Sequence, residues 1–423
     1  MELKPGYKRT EVGVIPDDWE VVKFSDLMDF RNGVNADKGA YGKGIPFINV
    51  LEVITRPYLH ISDIPGSVML SKHVVDSYIV RNGDILFNRT SETQEEVGLA
   101  SVYLGDENVV FGGFVIRGRP KSQLIDSIYP GYAFRSRALR SQIIAKGQGA
   151  IHVNIGQQNL SEVVAPLPPL PEQRVIAAAL SDVDALLSGL DRLIAKKRDL
   201  KQAAMQQLLT GKLRLPGFTG EWERKRLGEI VSLIPSGIYG DEKPREDSLP
   251  RRVATTAHID ENNTWNNKEM SVRYFSFEQI RRYSPQEGDL IIVKSSGSAE
   301  KIQSGKIGFI EKENVGKCLF SNFLMLLRPF AIAPRFLYYY LCSYNVMKLL
   351  PMLVEASTYP NIRIDEYLNL EIPFPADEEQ TAIATILSDM DAEIASLEQR
   401  RDKTCDLKQG MMQELLTGRI RLV

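Results

Sequence analysis

A stretch of fifty residues occurs twice in this chain of 423 residues, and this duplication limits what the chain can fold into. Residues 166–215 align without a gap with residues 373–422, at a constant offset of 207, and 25 of the 50 positions are identical. Both copies begin with Pro-x-Pro-x-x-x-Glu-Gln, continue through Ser-Asp-x-Asp and end with Leu-Leu-Thr-Gly. Such a repeat predicts a molecule of two similar halves, which suits a target with two parts.

The repeated stretch has the periodicity of a long helix that packs against another helix. Its apolar residues recur at alternating steps of four and three, which is the spacing of an a/d seam. They are Ile176, Leu180, Val183, Leu187, Leu190 and Ile194 in the first copy, and Ile383, Leu387, Met390, Ile394 and Leu397 in the second. Pro171 suits a first helical turn, and Gly211 and Gly418 suit helix ends. We predict a helix over residues 172–209, about 57 Å long, that pairs with its copy.

The segments outside the helices repeat more faintly, as short anchors separated by unrelated sequence. The anchors include Trp19 and Trp222, Gly83-Asp84 and Gly288-Asp289, Phe111 with Phe114 and Phe320 with Phe323, and Asn154-Ile155 and Asn361-Ile362. Short apolar runs near them are typical of strands, and Gly, Pro and Asn separate these runs. We therefore predict an α+β fold in which each half is a globular domain followed by one long helix. The anchors are expected to be scaffold, and the divergent stretches to be binding loops.

The order of the parts is circular. Residues 213–222 lead from the first helix into the second domain, whereas the second helix ends at Arg421-Leu-Val. The run from Tyr7 to Trp19 resembles the missing continuation, so we expect the two chain ends to lie close together. The predicted divisions are a first domain over 1–165, with 1–18 completing the circle, a helix over 166–215, a second domain over 216–372 and a second helix over 373–423.

Composition predicts a soluble, cytoplasmic protein. Hydrophobic residues make up 43% and charged residues 25%, which is ordinary for a globular chain. Three cysteines, an odd number without metal-ligand spacing, fit a reducing compartment. No apolar run approaches the roughly 20 residues of a membrane helix, and the N-terminus has no apolar signal core. The net charge of −2 argues against unspecific coating of nucleic acid, so phosphate contacts would have to come from local patches.

The sequence lacks the motifs of the common catalytic sites. It has no Gly-x-x-x-x-Gly-Lys-Ser/Thr phosphate loop, no Gly-x-Ser-x-Gly elbow and no His-Glu-x-x-His zinc motif. An Asp/Asn-Pro-Pro-Phe/Tyr tetrad for base methylation and a glycine signature for S-adenosylmethionine are also missing. Asp289 with Lys294 could belong to a nuclease site, but a second carboxylate has no evident place. We interpret the chain as non-catalytic and without a metal site.

Binding is the chemistry that remains, and Arg, Lys, Asn, Gln, Ser and Thr are the residues that recognise base edges and phosphates if the partner is a nucleic acid. Each candidate taken alone is also typical of an ordinary solvated loop. The candidate contacts are Arg31, Asn32, Lys38, Lys43, Asn88, Arg89, Thr90, Arg135, Arg137, Arg251, Arg252, Thr255, Thr256, His258, Lys294, Ser295 and Ser296. Arg89 and Lys294 follow equivalent strands by the same interval, which favours a shared role. The run from Arg117 to Lys146 has seven basic residues and one acidic residue, and is either a phosphate-binding patch or a solvated face.

These motifs resemble the specificity subunits of Type I restriction–modification systems. The resemblance is carried by residues 166–173, Pro-Leu-Pro-Pro-Leu-Pro-Glu-Gln, by the helix after them, and by residues 208–222. Residues 83–90, Gly-Asp-Ile-Leu-Phe-Asn-Arg-Thr, and the second copy of the helix are also similar to that family. The resemblance implies two target-recognition domains, each recognising half of a bipartite DNA site. It also implies an antiparallel coiled coil of the two helices, a pseudo-two-fold arrangement, and an unspecified gap whose length the helices set.

The resemblance also implies partners. The specificity subunit of that family binds two methyltransferase subunits and, in the full complex, two restriction subunits that translocate DNA. S-adenosylmethionine, ATP and Mg would then be bound by those partners and not by this chain. The residues expected to form the coiled coil or to dock partners are Glu172, Gln173, Ile176, Leu180, Leu187, Leu190, Glu379, Gln380, Ile383, Leu387, Ile394 and Leu397. Leu193 and Ile194 become Arg400 and Arg401 in the second copy, which an asymmetric seam explains better than contact with another chain.

A second class of function remains open from the residues alone. A coiled-coil scaffold whose globular domains bind proteins would have the same repeat and would also lack catalytic motifs. Sequence-dependent, salt-sensitive affinity for duplex DNA separates the two, because a protein scaffold would have none.

Overall fold

The computed structural model describes residues 3–149, 152–266, 268–295, 303–355 and 360–422. The chain forms two compact units, one of residues 1–191 and 399–423 (unit 1) and one of residues 192–398 (unit 2). The divisions predicted from the sequence lie at the ends of the long helices, whereas the compact units divide the chain within each helix. Each unit therefore contains the beginning of one helix and the end of the other.

Unit 1 is a mixed α+β domain built around a five-stranded sheet. The sheet has the order β4-β12-β8-β10-β6, and a three-stranded sheet β11-β5-β7 lies in the same unit. Its strands are β1 Tyr7–Thr10, β2 Gly13–Pro16, β3 Glu20–Lys23, β4 Met28–Asn32, β5 Tyr41–Ile48, β6 Tyr58–Leu59, β7 Ser67–Val68, β8 Ile85–Asn88, β9 Thr90–Ser91, β10 Ala100–Tyr103, β11 Val110–Phe111, β12 Val115–Pro120, β13 Val153–Asn154 and β14 Val164–Leu167. Its shorter helices are α1 Phe24–Leu27, α2 Val50–Thr55, α3 Lys72–Tyr78, α4 Tyr129–Ala133, α5 Arg137–Ala145 and α6 Gln157–Ser161.

The first long helix, α7 Leu170–Leu208, begins in unit 1 and ends in unit 2. Unit 2 repeats the strand arrangement of unit 1, with sheets β16-β22-β19-β20 and β18-β17-β21. Its strands are β15 Glu223–Arg226, β16 Val231–Ile234, β17 Ser248–Ala254, β18 Ser271–Ser276, β19 Leu290–Val293, β20 Ile307–Phe309, β21 Cys318–Phe320, β22 Leu324–Pro329, β23 Val354–Glu355, β24 Asn361–Ile362 and β25 Glu371–Phe374. Its helices are α8 Phe277–Tyr283, α9 Pro334–Leu341, α10 Tyr344–Leu353 and α11 Ile364–Leu368. The second long helix, α12 Asp377–Leu415, begins in unit 2 and ends in unit 1.

Helices α7 and α12 pair antiparallel, and ion pairs within each unit define the direction. In unit 1, Lys408 lies 2.6 Å from Asp184, and Arg401 lies 3.7 Å from Asp191. In unit 2, Lys197 lies 2.6 Å from Glu393. Residue numbers therefore rise along one helix as they fall along the other. The predicted pair of long helices and the α+β class are confirmed.

Each unit has its own hydrophobic core, to which the long helices contribute. Strands β8 and β19 lie centrally and are buried along their whole lengths, as expected for continuous apolar runs. Ile176 and Leu180 of α7 pack in the core of unit 1, together with Leu415 of α12. Ile383 and Leu387 occupy the corresponding positions in the core of unit 2. No helix among the described residues is long and apolar enough to cross a membrane.

Candidate nucleic-acid interface

Arg89 lies at a surface point of unit 1 where three segments meet. Its backbone N–H donates to the carbonyl of Phe114 at 2.8 Å, and its own carbonyl accepts from the N–H of Ile155 at 2.9 Å. The Arg89 guanidinium donates to the carbonyl of Gly113 at 3.2 Å. We call this region the unit 1 tip: Arg89, the turn 112–114 and Asn154-Ile155.

Unit 2 has the same arrangement around Lys294. Its N–H donates to the carbonyl of Phe323 at 2.9 Å, and its carbonyl accepts from the N–H of Ile362 at 3.0 Å. The unit 2 tip is therefore Lys294, the turn 321–323 and Asn361-Ile362. Arg89 and Lys294 occupy equivalent positions in the fold, each half-buried, with a cationic side chain in both cases.

A buried ion pair holds the strand that leads to each tip. Asp84 accepts two hydrogen bonds from the Arg119 guanidinium, at 2.9 and 2.6 Å. Asp289 accepts two from Arg328, at 2.9 and 2.7 Å, and this pairing raises the pKa of Arg328. Two-pronged contacts of this kind fix both distance and orientation. Asp289 is therefore engaged with Arg328, which explains the repeated Gly-Asp anchor without the nuclease role considered for Asp289 and Lys294.

The structure separates the predicted DNA contacts by their accessibility. Exposed side chains are those of Arg31, Lys38, Lys43, Arg137 and Arg252, and partly exposed ones are those of Asn32, Arg89, Thr90, Arg251, Thr255, Thr256 and Lys294. The Arg31 guanidinium lies over the Tyr78 ring at 4.6 Å, and the Thr90 hydroxyl donates to Asn154 at 2.6 Å. Ser296 lies outside the described residues. DNA contact by these residues stays a prediction.

Three of the predicted contacts are buried inside the fold. Asn88 donates to the carbonyl of Glu96 at 2.9 Å and accepts from the N–H of Thr90. His258 is buried beneath Thr255, with Nδ1 accepting from the Thr255 N–H at 3.0 Å. Ser295 is buried as well. The hydrogen bonds of Asn88 and His258 stabilise local structure. DNA contact by Asn88, His258 and Ser295 stays a prediction, and the burial of their side chains does not favour it.

Arg135 is also engaged internally, as is much of the basic run 117–146. The Arg135 guanidinium donates to the carbonyls of Ala100 and Val53, both at 2.6 Å. Arg140 donates to the carbonyl of Val97 at 2.6 Å, and Arg119 binds Asp84. Burial lowers the pKa of Arg117, Arg135 and Arg140 to about 10. The run is therefore not a continuous phosphate-binding patch. DNA contact by Arg135 stays a prediction that the geometry does not favour, because neighbouring carbonyls already accept hydrogen bonds from its guanidinium.

The predicted partner-docking residues at the start of each long helix are buried too. Glu172 accepts from the Trp19 indole at 2.8 Å, and Glu379 accepts from the Trp222 indole at 2.9 Å. Gln173 accepts from the N–H of Asp126 at 2.9 Å, and Gln380 accepts from the N–H of Ala333 at 2.8 Å. Both Glu-Gln pairs attach a helix to its own globular domain. Their side chains are buried in this chain, and docking of a partner at these residues stays a prediction.

The predicted seam positions are mostly buried, and some of them also pack against the globular domains. Leu190 and Ile394 are buried, and Leu187 and Leu397 are partly buried, in agreement with the predicted seam. Ile176, Leu180, Ile383 and Leu387 pack against globular domains as well as against helix ends. Leu193 and its counterpart Arg400 are exposed, so that difference lies on the surface, whereas Ile194 is buried and its counterpart Arg401 is partly buried, which agrees with an asymmetric seam.

One feature of the tips differs from the prediction made from the sequence. Phe114 and Phe323 were expected to be scaffold, as were Phe111 and Phe320 of the same anchors. Phe111 and Phe320 are fully buried, but the side chains of Phe114 and Phe323 are 62% and 48% exposed. The only signal in the sequence was their repetition. Among the described residues, no group of three or more His, Cys, Asp or Glu side chains could hold a metal ion.

Comparisons with known proteins agree with this geometry. The Type I restriction modification DNA specificity domain matches the chain twice, over residues 16–196 and 219–404. The putative type I restriction enzyme MjaX specificity subunit of Methanocaldococcus jannaschii is 27% identical, over 98% of this chain and 97% of that protein. The type I restriction enzyme EcoKI specificity subunit of Escherichia coli is 23% identical, over 71% of this chain and 66% of that protein.

Solved structures have the same fold. The S subunit of a Type I restriction-modification system from M. genitalium superposes with a TM-score of 0.54 at 15% identity, covering 98% of both chains. A chain from a structural study of assembly and conformational transition in the type I R-M system has a TM-score of 0.57 at 18% identity, covering 96% of this chain and 99% of that one. Because the two specificity-domain matches together span most of the sequence, the chain belongs to the family of Type I restriction–modification DNA specificity subunits.

Proposed function

We propose that this protein is the subunit of a Type I restriction–modification complex that recognises a bipartite DNA site, with one globular domain for each half-site. The observation that carries the proposal is the duplicated tip. Arg89 and Lys294 occupy the same position in two similar domains, while the sequences around them diverge. An equivalent cation can place a phosphate in the same way in both domains, and divergent loops can then recognise different bases.

The paired helices would set the spacing between the half-sites. A helix rises by about 1.5 Å per residue, so its length is a defined distance when a second helix supports it. Helices α7 and α12 provide that support through ion pairs and buried seam residues within each unit. The gap between half-sites is thus expected to depend on helix length.

The exposed face of the first helix is the proposed surface for methyltransferase subunits. Leu193 and Leu200 of unit 2 are both exposed, and their spacing of seven places them on one face of α7. Exposed leucines that repeat on one helix face leave apolar surface in water, and such a surface suits the binding of a partner. This surface replaces the buried Glu-Gln pairs as the docking candidate. Two methyltransferase and two restriction subunits would complete the complex and would carry S-adenosylmethionine, ATP and Mg.

Exchange of one domain tests the proposed modularity. Residues 24–160 would be replaced by the corresponding segment of another specificity subunit, and methylated adenines would be mapped across the host genome. One half of the methylated site should change and the other should stay the same, because each half is recognised by a separate domain. A change in both halves contradicts the proposal, and methylation that does not depend on the gene contradicts the DNA-recognition role altogether.

Shortening the helix tests the proposed spacing. Deletion of four residues, about one turn, from residues 172–209 should change the length of the unspecified gap or prevent assembly. The control is the same domain exchange with an intact helix, in which the gap should be unchanged. An unaltered site with full methylation in the shortened variant would exclude a role of helix length.

A further inference from the structure

Phe114 and Phe323 are exposed aromatic residues at equivalent places in the two units. Each follows, by three residues, a fully buried phenylalanine, Phe111 or Phe320, that anchors the same segment in a core. The buried ring stabilises the fold, whereas the exposed ring leaves apolar surface in water. Isolated exposed apolar residues are ordinary, but the same exposed ring at the same position of two diverged domains is a pattern to explain.

The turn that carries each ring is closed and supported on both sides. The N–H of Val115 donates to the carbonyl of Gly112 at 2.9 Å, and the N–H of Leu324 donates to that of Ser321 at 3.0 Å. Each phenylalanine is therefore the third residue of a hydrogen-bonded β-turn.

A glycine packs behind each turn, so closely that no side chain would fit. A Cβ atom placed on Gly33 would lie 2.0 Å from the carbonyl oxygen of Gly112, and one on Gly237 would lie 2.1 Å from that of Phe320. The backbone at each turn is thus packed closely against a neighbouring segment, and in unit 2 the carbonyl oxygen of Ser321 also lies only 2.6 Å from the Cβ position of Gly237.

The residues around the two rings differ, but their chemistry is shared. The turns are Gly112-Gly113-Phe114 and Ser321-Asn322-Phe323, so only the aromatic residue is retained. The backbone carbonyl of each phenylalanine accepts a hydrogen bond from the residue that bears the tip cation, Arg89 or Lys294. The residue that carries a cation and the residue that carries an exposed ring are therefore joined by a backbone hydrogen bond in both units.

A phenyl ring has no hydrogen-bonding group, so it cannot distinguish bases as Arg, Asn or Gln do. It can instead stack on a base or enter a base step, as apolar wedges do in proteins that deform DNA. We propose that Phe114 and Phe323 are a matched pair of wedges, each inserted into the base stack of the half-site bound by its unit. This inference rests on the proposed function and adds a shape-dependent component to the recognition of each half-site.

The test uses the full chain in complex with its methyltransferase subunits. The probe is a duplex that contains the site found by methylation mapping, with 2-aminopurine at positions other than the methylated adenine. Binding of the wild-type complex should raise the fluorescence of a base in each half-site, because an inserted ring unstacks its neighbours. Phe114→Ala should abolish the rise in one half-site only, Phe323→Ala should abolish it in the other, and each should weaken binding by about fivefold or more.

Phe330→Ala is the matched control. Phe330 is 65% exposed and follows β22 at the end opposite to Phe323, and its counterpart in unit 1 is Lys121, which is not aromatic. This variant should bind and fluoresce as the wild type does. Phe114→Leu is a second variant, which should retain part of the effect because leucine also serves as a wedge.

The outcomes separate this inference from the function on which it rests. If the wild-type complex does not prefer the mapped site over unrelated duplex, the proposed function fails. If it does prefer that site, but Phe114→Ala and Phe323→Ala bind and fluoresce as the wild type does, only the wedge inference is overturned. Equal losses from Phe330→Ala would overturn it as well, because the effect would then belong to any exposed ring.

Discussion

The junction between globular domain and long helix is made of the same side chains in both units but by different parts of the chain. In unit 2, Glu379 accepts from Trp222 and from Arg214, residues that lie close together in one segment. In unit 1, Glu172 accepts from Trp19 near the start of the chain and from Arg421 near its end. The predicted circular order is thus present in unit 1.

The difference between the junctions teaches what chain connectivity contributes. In unit 2 the peptide chain already brings arginine and tryptophan together. In unit 1 side chains alone must do so, and they form additional bonds: Arg421 donates to Asp18 at 2.9 and 2.8 Å, and the Tyr7 hydroxyl donates to the carbonyl of Gly418 at 2.9 Å. Loss of one side chain should therefore be more damaging in unit 1, because holding together two segments that are far apart in the sequence costs more conformational entropy.

The largest effect is expected from removing the buried carboxylate. Glu172→Ala and Glu379→Ala should each lower the free energy of unfolding by about 3–5 kcal/mol, because a partly buried arginine and an indole N–H lose their acceptor. Only Glu172→Ala should also release a chain end, measured as faster hydrogen exchange in residues 7–16. Glu172→Gln, which keeps one acceptor, is the control. Equal exchange in both alanine variants would contradict the role assigned to connectivity.

A smaller loss is expected from removing the arginine. Arg421→Met should destabilise unit 1 by about 1.5–3 kcal/mol, because charged hydrogen bonds are lost. This loss should be larger than the loss that Arg214→Met causes in unit 2. The hydrogen bond from Arg421 lowers the pKa of Asp18, so this part of the stability is present above the unfolded pKa of about 3.9 and is lost as pH falls through the folded pKa. In denaturant titrations from pH 7 to pH 2, the free energies of unfolding of the wild type and of Arg421→Met should become more similar as the pH falls. A difference in free energy of unfolding that does not depend on pH would argue against the Asp18 contact.

Two tyrosines provide a comparison in which the units should behave alike. Tyr132 donates to Asp184 at 2.8 Å, and Tyr339 donates to Asp391 at 2.8 Å. Tyr132→Phe and Tyr339→Phe should each cost about 0.5–1.5 kcal/mol in denaturant unfolding. A large difference between them would mean that connectivity also affects contacts far from the chain ends.

Tyr132 should also make the stability of unit 1 depend on pH at high pH. Burial raises the pKa of Tyr132 to about 12, and the bond to Asp184 adds to it. A raised pKa means that the contribution is complete below the unfolded pKa of about 10 and is lost as pH rises toward 12. Wild type should therefore lose more stability than Tyr132→Phe between pH 10 and pH 12. Parallel losses would exclude this titration.

The smallest effect is expected from the lysines that bridge the two helices. Lys408 lies 2.6 Å from Asp184, and Lys201 lies 2.5 Å from Asp391, with all four side chains partly exposed. Lys408→Ala and Lys201→Ala should each cost about 0.2–1 kcal/mol, and the loss should shrink in high salt, because solvent screens such pairs. Thermal unfolding of each variant and of the wild type at low and high salt measures the loss of stability. A loss above about 2 kcal/mol would contradict the description of these pairs as solvent-screened surface contacts.

Much of the architecture was predictable from residues alone. The seam spacing from Ile176 to Ile194 predicted a paired helix, and the repeated Gly-Asp anchor marked strands that are buried in both units. The individual contacts were less predictable. Arg135 and Asn88 are residue types that often bind DNA. The Arg135 guanidinium, however, donates to the carbonyl of Val53, which is distant in the sequence. Asn88 is buried in β8, and its side chain donates to the carbonyl of Glu96.

The sequence by itself determined the duplication, the two long helices, the α+β class and the family, because periodicity and repeated motifs are local properties of the chain. Only the tertiary structure decided which polar residues are buried. Glu172 accepts a hydrogen bond from Arg421, and Asp84 accepts one from Arg119, and each pair is far apart in the sequence. It also decided that Phe111 is buried while Phe114 is exposed, although both belong to one repeated anchor. The physical reason is that burial depends on what packs against a residue, and the neighbours that pack there come from distant segments.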